Sequence, residues 1–195
     1  MKKSPAIAII TAALLLTGCV VTSVYPFYTA KDVAFDPGLL GTWTNVETAG
    51  EAWKFEREGT NAYQLTTTSQ SDTNVMPAHR FKIGSEFFLD IATSQGLKDS
   101  EPPPIPSHVV LWLPPATNNA LQIAVLDYEW LEKELTNNPH ALRHYVVDSE
   151  DKEQGGRLVL TADTPELQKF ITKSLKSEEA WKQRLNLKRE GAAEK

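Results

Sequence analysis

The chain has a single cysteine, Cys19, among its 195 residues. One cysteine excludes an internal disulfide, a CxxC redox pair and a zinc site built from several thiolates. Basic side chains are also scarce, with 20 Lys and Arg against 25 Asp and Glu. The surface therefore lacks the dense positive charge that binding to nucleic acid or to anionic lipid requires. We expect no nucleic-acid partner.

The sequence also lacks an apolar run long enough to cross a bilayer. Its main apolar segment, Ala6–Leu16, has 11 residues, which as a helix would span about 16 Å. The hydrocarbon core of a bilayer is about 30 Å thick. Lys2 and Lys3 precede the segment, and a basic start followed by a short apolar run is typical of an export signal. We therefore predict a cleavable signal peptide over residues 1–18.

The predicted signal ends in Leu16-Thr17-Gly18-Cys19, an aliphatic residue and two small residues before the cysteine. This string resembles the lipobox of bacterial lipoproteins, which implies cleavage between Gly18 and Cys19 and a diacylglyceryl group on the cysteine sulfur. An ordinary secreted protein with a chance cysteine is the alternative, but three signal elements in register favour the lipoprotein. Several acyl chains would hold the protein at the cell membrane. An aspartate directly after the lipidated cysteine commonly retains proteobacterial lipoproteins in the inner membrane, but here the residue is Val20. We therefore expect the protein at the periplasmic face of the outer membrane in a Gram-negative cell.

Residues 19–35 form a predicted lipid-anchored tether of unusual composition. Its first part, Val20–Tyr28, is too apolar and aromatic for a solvated linker. Either this part packs on the following domain, or Tyr25, Phe27 and Tyr28 lie in the membrane interface, where aromatic rings are favoured. We favour packing on the domain.

Residues 36–163 alternate short apolar segments with turn residues, which indicates a β domain. Trp53 and Phe55 are two residues apart, as are Tyr63 and Leu65, and a period of two is typical of half-buried strands. The nine predicted strands are Gly41–Val46, Ala52–Glu58, Ala62–Thr68, His79–Ile83, Glu86–Thr93, Val109–Leu113, Leu121–Leu126, His144–Val147 and Arg157–Thr161. Their short connections predict a mainly β (α+β) fold, an antiparallel meander that closes into a barrel or a strongly twisted sheet.

Three helices are predicted beside these strands. One is inserted over 127–136, and residues 164–195 are expected to form C-terminal helices and a frayed tail. The last helix would carry Trp181 and Leu185. The predicted N-caps are Asp127, Thr164 and Ser177.

The string Gly41-Thr42-Trp43 at the start of the first strand resembles the GxW signature of lipocalins. That resemblance implies a barrel in which Trp43 closes one end and stacks against an arginine from a late strand. Arg157 is the first candidate for this arginine and Arg143 the second. The longer string Pro26–Trp43 resembles uncharacterised bacterial lipoproteins, a resemblance that implies no particular activity.

Signatures of catalysis and metal binding are weak. His140 and His144 have the spacing of two ligands on a helix, but Ala141 stands where a zinc protease needs glutamate. The acidic segment Asp148–Glu153 lacks the ligand pattern of an EF-hand, so a solvated loop is favoured over a calcium site. The sequence has no GxSxG elbow, P-loop or dinucleotide fingerprint. We predict no metal, no cofactor and no catalytic residues.

The leading hypothesis is a non-catalytic envelope lipoprotein that binds an apolar small molecule or an envelope protein. The predicted cavity lining is Trp53, Phe55, Tyr63, Leu65, Phe87 and Leu89. The alternative is a structural or assembly lipoprotein whose barrel is filled by its own side chains, as small barrels can be. An envelope enzyme comes third, because it would need titratable groups that converge in a pocket.

Overall fold

The computed structural model describes residues 21–93, 107–115, 119–147 and 157–191. The predicted signal peptide, Gly18, Cys19 and the acidic segment Asp148–Glu153 lie outside the described residues.

The described residues form eleven strands and two α-helices. The strands are β1 Thr22–Ser23, β2 Gly41–Asn45, β3 Ala52–Glu58, β4 Ala62–Thr68, β5 Thr73–Ile83, β6 Glu86–Ala92, β7 His108–Leu113, β8 Ala120–Val125, β9 His144–Val147, β10 Arg157–Leu160 and β11 Gln183–Arg189. The helices are α1 Tyr128–Asn137 and α2 Thr164–Ser174. Single 3₁₀ turns occur at Pro37–Leu39 and Glu178–Trp181.

Eight of these strands form a closed antiparallel barrel. Around the barrel the order is β6-β5-β4-β3-β2-β11-β8-β7, and β7 pairs with β6 to close it. Closure leaves none of the eight strands with a free edge along its whole length, which removes the main route to edge-to-edge aggregation. The mainly β, antiparallel barrel expected from the sequence is confirmed.

Three further strands extend the sheet outward from β7. β1 pairs antiparallel with β7 and parallel with β10, and β10 pairs antiparallel with β9. The predicted hairpin of His144–Val147 with the strand that begins at Arg157 is thus confirmed. Both of its strands lie outside the closed barrel.

The third predicted helix is wrong. After Ser177 the chain makes one 3₁₀ turn and then enters β11, which pairs with β8 on one side and β2 on the other. Leu185 and Leu187 alternate with polar residues, the period of a strand. Without β11, the barrel would stay open between β2 and β8, so tertiary pairing decides the conformation of this segment.

The N-terminal caps of both α-helices are aspartates. Asp127 caps α1 as predicted, since its Oδ1 accepts a hydrogen bond from the Trp130 amide at 2.8 Å. The cap of α2 is Asp163 and not Thr164, because Asp163 accepts the hydrogen bond from the Glu166 amide at 3.1 Å. The Thr164 hydroxyl instead donates to the Pro26 carbonyl at 2.7 Å, which ties α2 to the N-terminal segment.

Buried apolar residues form two cores, one on each side of the barrel wall. The interior core lies inside the barrel and includes Trp43, Phe55, Tyr63, Leu65, Leu89, Leu111 and Ile123. The outer core lies between the wall and the packed helices and includes Phe27, Phe81, Phe88, Leu131, Phe170 and Trp181. Within the part of the chain that the structure describes, no helix is long and apolar enough to cross a membrane.

Candidate functional site

Four of the six predicted cavity-lining residues are fully buried in the interior core. Phe55, Tyr63, Leu65 and Leu89 are at most 1% exposed. The rings of Phe55 and Tyr63 meet edge to face, with centroids 5.9 Å apart, a favourable geometry for an aromatic pair. These side chains pack against one another, so they fill this part of the barrel themselves.

A cavity of about 360 Å³ lies at one end of the barrel. It is bounded by the 3₁₀ turn before β2, by the turn between β5 and β6, and by Pro114 and Pro115, which follow β7. The described lining residues are Asp36, Gly38, Leu39, Trp43, Arg80, Ser85, Glu86, Phe87, Leu113, Pro114, Pro115, Ala120 and Leu121. Of the six predicted lining residues, Phe87 borders this cavity, and Trp53 is partly buried at the interior core.

Trp43 makes two polar contacts at this end of the barrel. Its indole N–H donates to the Leu39 carbonyl at 2.9 Å, and the Arg189 guanidinium lies 4.3 Å from the Trp43 ring centroid. Arg189 also donates to the Leu40 carbonyl at 2.7 Å and to the Gly38 carbonyl. Cation–π contact and carbonyl hydrogen bonds together fix the 3₁₀ turn against β2.

Glycine is required at the first position of the GxW string. Gly41 has φ +118°, a conformation that side chains strongly disfavour, and a Cβ there would lie 2.9 Å from Arg189 Nη1. The Arg189 guanidinium therefore lies directly over Gly41 at the barrel rim, beside Trp43.

The arginine over Trp43 differs from the one expected. Arg157 begins β10, which pairs with β9 and β1 outside the barrel. The second candidate, Arg143, is exposed and forms an ion pair with Glu166 at 2.7 Å. Arg189 takes the role because β11 lies next to β2, with Arg189 directly opposite Trp43.

Arg80 forms a charged part of the cavity wall. Its guanidinium lies 3.7 Å from the Phe87 ring centroid, donates to the Ala34 carbonyl at 2.7 Å, and is 3.7 Å from an Asp36 carboxylate oxygen. Burial lowers the pKa of Arg80, and the neighbouring Asp36 and Tyr63 oppose that shift. The cation is held by an aromatic face, a carbonyl and a carboxylate.

Glu86 supplies the second carboxylate at the cavity. One of its oxygens accepts from the Trp112 indole N–H at 3.0 Å, and the other accepts from the Ser85 hydroxyl at 3.1 Å. Polar groups of the wall thus have protein partners already, while Leu39, Leu113 and Leu121 add apolar surface. Such a site suits a ligand with a largely apolar body and few polar groups.

A separate polar cluster lies on the outside of the barrel, around the buried Asp90. One Asp90 oxygen is 2.8 Å from His108 Nδ1, and the other accepts from the Phe27 amide at 2.9 Å. Tyr28 stacks on His79, with ring centroids 4.7 Å apart. Burial, aided by the charge of Asp90, raises the pKa of Tyr28 to about 12. These contacts hold the N-terminal segment against β6. We call Asp90, His108, Tyr28 and His79 the latch.

The histidines with metal-ligand spacing, His140 and His144, do not lie on one helix face. His144 begins β9, and its Nδ1 is 2.9 Å from the Leu142 carbonyl oxygen, while His140 lies in an exposed turn. Across the described ranges, no three His, Cys, Asp or Glu side chains are grouped to hold a metal ion.

Sequence reasoning missed Arg80 and Arg189. The signal for Arg189 was the alternation of Leu185 and Leu187 just before it, which indicates a strand that ends at the barrel rim. No comparable local signal marks Arg80, because its role depends on β5 pairing with β6 and on the segment around Asp36 crossing the barrel end.

No protein-family model matches this chain, and no curated protein and no solved structure is significantly similar to it.

Proposed function

We propose that this protein is a lipid-anchored lipoprotein of the cell envelope that binds a small, largely apolar molecule at the end of its barrel. The observation that carries the ligand part is the cavity of about 360 Å³ beside Trp43 and Phe87. Ligand pockets of proteins are typically about 300–1,000 Å³, mostly apolar, with a few placed polar groups.

The ligand site differs from the one expected from sequence. The predicted site was the barrel interior, where Phe55, Tyr63, Leu65 and Leu89 now form a packed core. The proposed site lies at the end of that core, where its members Leu39, Trp43 and Leu113 border the cavity. There Arg80, Asp36 and Glu86 are held by protein partners and add charged groups to the wall.

The anchoring part of the proposal rests on the sequence of the export signal. The lipobox at Leu16–Cys19 supports acylation of Cys19, and acyl chains contribute about 0.8 kcal/mol for each CH₂ that is buried in the bilayer. Val20 after the cysteine supports the outer membrane as destination in a Gram-negative cell. Close packing of Val21 and Phe27 on the barrel means that the anchor leads directly into the folded domain.

A structural or assembly lipoprotein is the second candidate. The packed interior core favours it, because a barrel filled by its own side chains needs no ligand for stability. In that case the cavity at the barrel end would remain without a specific occupant.

Probe binding separates the two candidates. We expect the uncharged dye N-phenyl-1-naphthylamine to fluoresce on binding the purified protein, and Leu121→Trp to weaken that binding at least tenfold by filling the cavity. Leu121 lines the cavity, whereas Val75 is 46% exposed on β5 and does not line it. Val75→Trp is therefore the matched control and should bind normally. Absence of dye binding, together with a clean native mass spectrum of the protein from its own cells, would favour the structural candidate.

The anchor has its own experiment. Intact mass spectrometry of the full chain expressed in bacteria should show acylation on Cys19 and loss of residues 1–18. Cys19→Ser should abolish acylation and leave residues 1–18 attached, which the same mass measurement detects. An unacylated, soluble wild-type protein would contradict the lipoprotein assignment, and recovery from the inner membrane would contradict the outer-membrane destination.

A further inference from the structure

The strands outside the barrel form a small extension of the sheet next to the start of the described chain, with Leu158 and Leu160 buried on one of its faces. Cross-strand pairing places Thr22 of β1 beside Val159 of β10, and Val159 beside Tyr145 of β9. Because paired residues share a face, these three side chains lie on one side of the extension. β9 is the last strand of the sheet that the described residues form.

This extension concentrates exposed apolar surface. Tyr145 is 66% exposed, Val146 45% and Tyr25 49%, and they are three of the five exposed large apolar residues in the described ranges. We call Tyr25 and Tyr145 the aromatic edge, because Val146 pairs with the buried Leu158 and faces the other side of β9. The Val24 amide, next to Tyr25 in the chain, donates to the Leu160 carbonyl at 3.0 Å, and Leu160 pairs with His144 at the start of β9. Tyr25 therefore directly follows the part of the chain that is bound to this extension.

Chain length keeps the aromatic edge near the proposed anchor. Two residues separate Cys19 from Thr22, and the three Cα–Cα steps between them reach at most about 11 Å. Two strand spacings, about 10 Å, separate Thr22 from Tyr145. The Tyr145 backbone is thus within about 21 Å of the acylated residue, and the phenol side chain extends beyond the backbone.

The segment that follows the proposed anchor is bound to the domain and does not act as a flexible linker. Val21 is 3% exposed and Phe27 is fully buried, and the Phe27 amide and carbonyl are bound by Asp90 and Gln168 at 2.9 and 3.0 Å. A solvated linker would let the domain drift from the bilayer. Here the fold itself begins within three residues of Cys19.

We propose that the aromatic edge lies in the headgroup region of the membrane beside the acylated Cys19, as a second contact that orients the domain. This inference rests on the proposed lipid anchor. Tyrosine suits the position because its ring is apolar and its hydroxyl can bind water or headgroups. The mature chain is acidic, with a net charge near −7 once Lys2 and Lys3 are removed, so the contact is to zwitterionic lipid and not to an anionic surface.

Single-site labelling tests the proposal with the acylated full chain. Cys19 is the one native cysteine and its sulfur is acylated, so Tyr145→Cys supplies the one free thiol for the dye NBD. The control is Thr60→Cys, an exposed residue in the turn between β3 and β4, because β3 lies opposite β7 around the barrel. Both proteins are reconstituted into phosphatidylcholine vesicles with and without nitroxide-labelled headgroups.

We expect NBD at position 145 to shift to shorter wavelength in vesicles and to lose at least half of its emission to the nitroxide, while NBD at position 60 keeps its aqueous spectrum. Tyr25→Cys is a second, independent probe and should behave like Tyr145→Cys. Protein that floats with the vesicles but gives aqueous spectra at positions 145 and 25 would overturn the proposed contact and leave the anchor intact. Wild-type protein that does not float with vesicles would overturn the anchor and the contact together.

Discussion

The interior core and the outer core share the wall of one barrel but leave different patterns in the sequence. On β3 and β4 one face is buried, so apolar residues such as Phe55 and Leu65 alternate with exposed polar ones. On β6 both faces are buried, and the consecutive residues Phe88 and Leu89 belong to different cores. Alternation is clear where a strand borders one core and disappears where it separates two.

The two cores also differ in polar content. In the outer core, buried polar groups join separate parts of the chain. Asp90 binds the N-terminal segment and His108, and Asp127 binds Lys182 and Gln183 while it caps α1. Polar contacts of the interior core lie mainly at its ends. The interior core therefore closes the barrel, whereas the outer core fixes the chain ends and helices to it.

Removal of the largest fully buried side chain of the outer core should lower the free energy of unfolding most. Trp181 is fully buried, contacts the rings of Phe88 and Trp112, and donates to the Ser174 hydroxyl at 3.0 Å. We expect Trp181→Ala to lower the free energy of unfolding by about 3–5 kcal/mol, measured in urea. The half-buried Trp53→Ala is the control and should lose less. An equal or smaller loss for Trp181→Ala would show that the outer core is not part of the cooperative unit.

Loss of the latch carboxylate should rank second. Asp90→Ala leaves the buried Phe27 amide without its acceptor and His108 without its partner, and each unsatisfied buried group costs about 1–3 kcal/mol. We expect a loss of about 2–4 kcal/mol and faster proteolysis near Tyr25. A cycle with His108→Ala separates the two contacts, and unchanged proteolysis would contradict the role of Asp90 in holding the N-terminal segment.

Most of the barrel was predictable because its strands carry local signals. The turn at Gly59–Asn61 and the alternation around Phe55 define β3 and β4 without tertiary information. Asp127 was identified as a cap from its position before an amphipathic segment, but its contact with Lys182 was not, because that contact joins residues far apart in sequence.

The candidate site was less predictable, for two physical reasons. A cavity is set by packing volumes, and nothing in the spacing of Phe55, Leu65 and Leu89 distinguishes a filled interior from an empty one. The arginine over Trp43 depends on which strand pairs with β2, and the sequence pattern predicts a helix for the segment that pairs there. Once β11 is a strand, Arg189 lies opposite Trp43 in the ladder.

The contacts of Arg189 at the barrel end test the interior core, and their removal should lower the free energy of unfolding by a smaller amount. Arg189→Met removes the cation over Trp43 and the hydrogen bonds to the Leu40 and Gly38 carbonyls. We expect a loss of about 1–2 kcal/mol and a changed near-ultraviolet circular dichroism signal from Trp43. Arg157→Met should leave that signal unchanged, because β10 lies outside the barrel. The reverse pattern would restore Arg157 as the partner of Trp43.

Alkaline pH should weaken the outer core through Tyr28. Its pKa is raised to about 12 in the folded protein, against about 10 in an unfolded chain. Between these values the unfolded state gives up the proton and the folded state keeps it, so stability falls as the pH rises above about 10. Tyr28→Phe should show a shallower fall than wild type, with the exposed Tyr145→Phe as control. Equal slopes for wild type and Tyr28→Phe would contradict the burial of the hydroxyl.

Acid should weaken the same region by a smaller amount through His79. Burial lowers the pKa of His79 in the folded protein, although Asp90 and Glu58 oppose the shift and His108 adds to it. An unfolded histidine takes up a proton near pH 6.5, while folded His79 stays neutral to a lower pH. Stability is therefore complete above about pH 7 and falls as the pH drops through about 6.5. Because Tyr28 covers the His79 ring, His79→Gln should flatten this part of the pH profile, and the exposed His140→Gln should not. A steeper acid slope in His79→Gln would mean that protonated His79 is held by Asp90 and strengthens the latch.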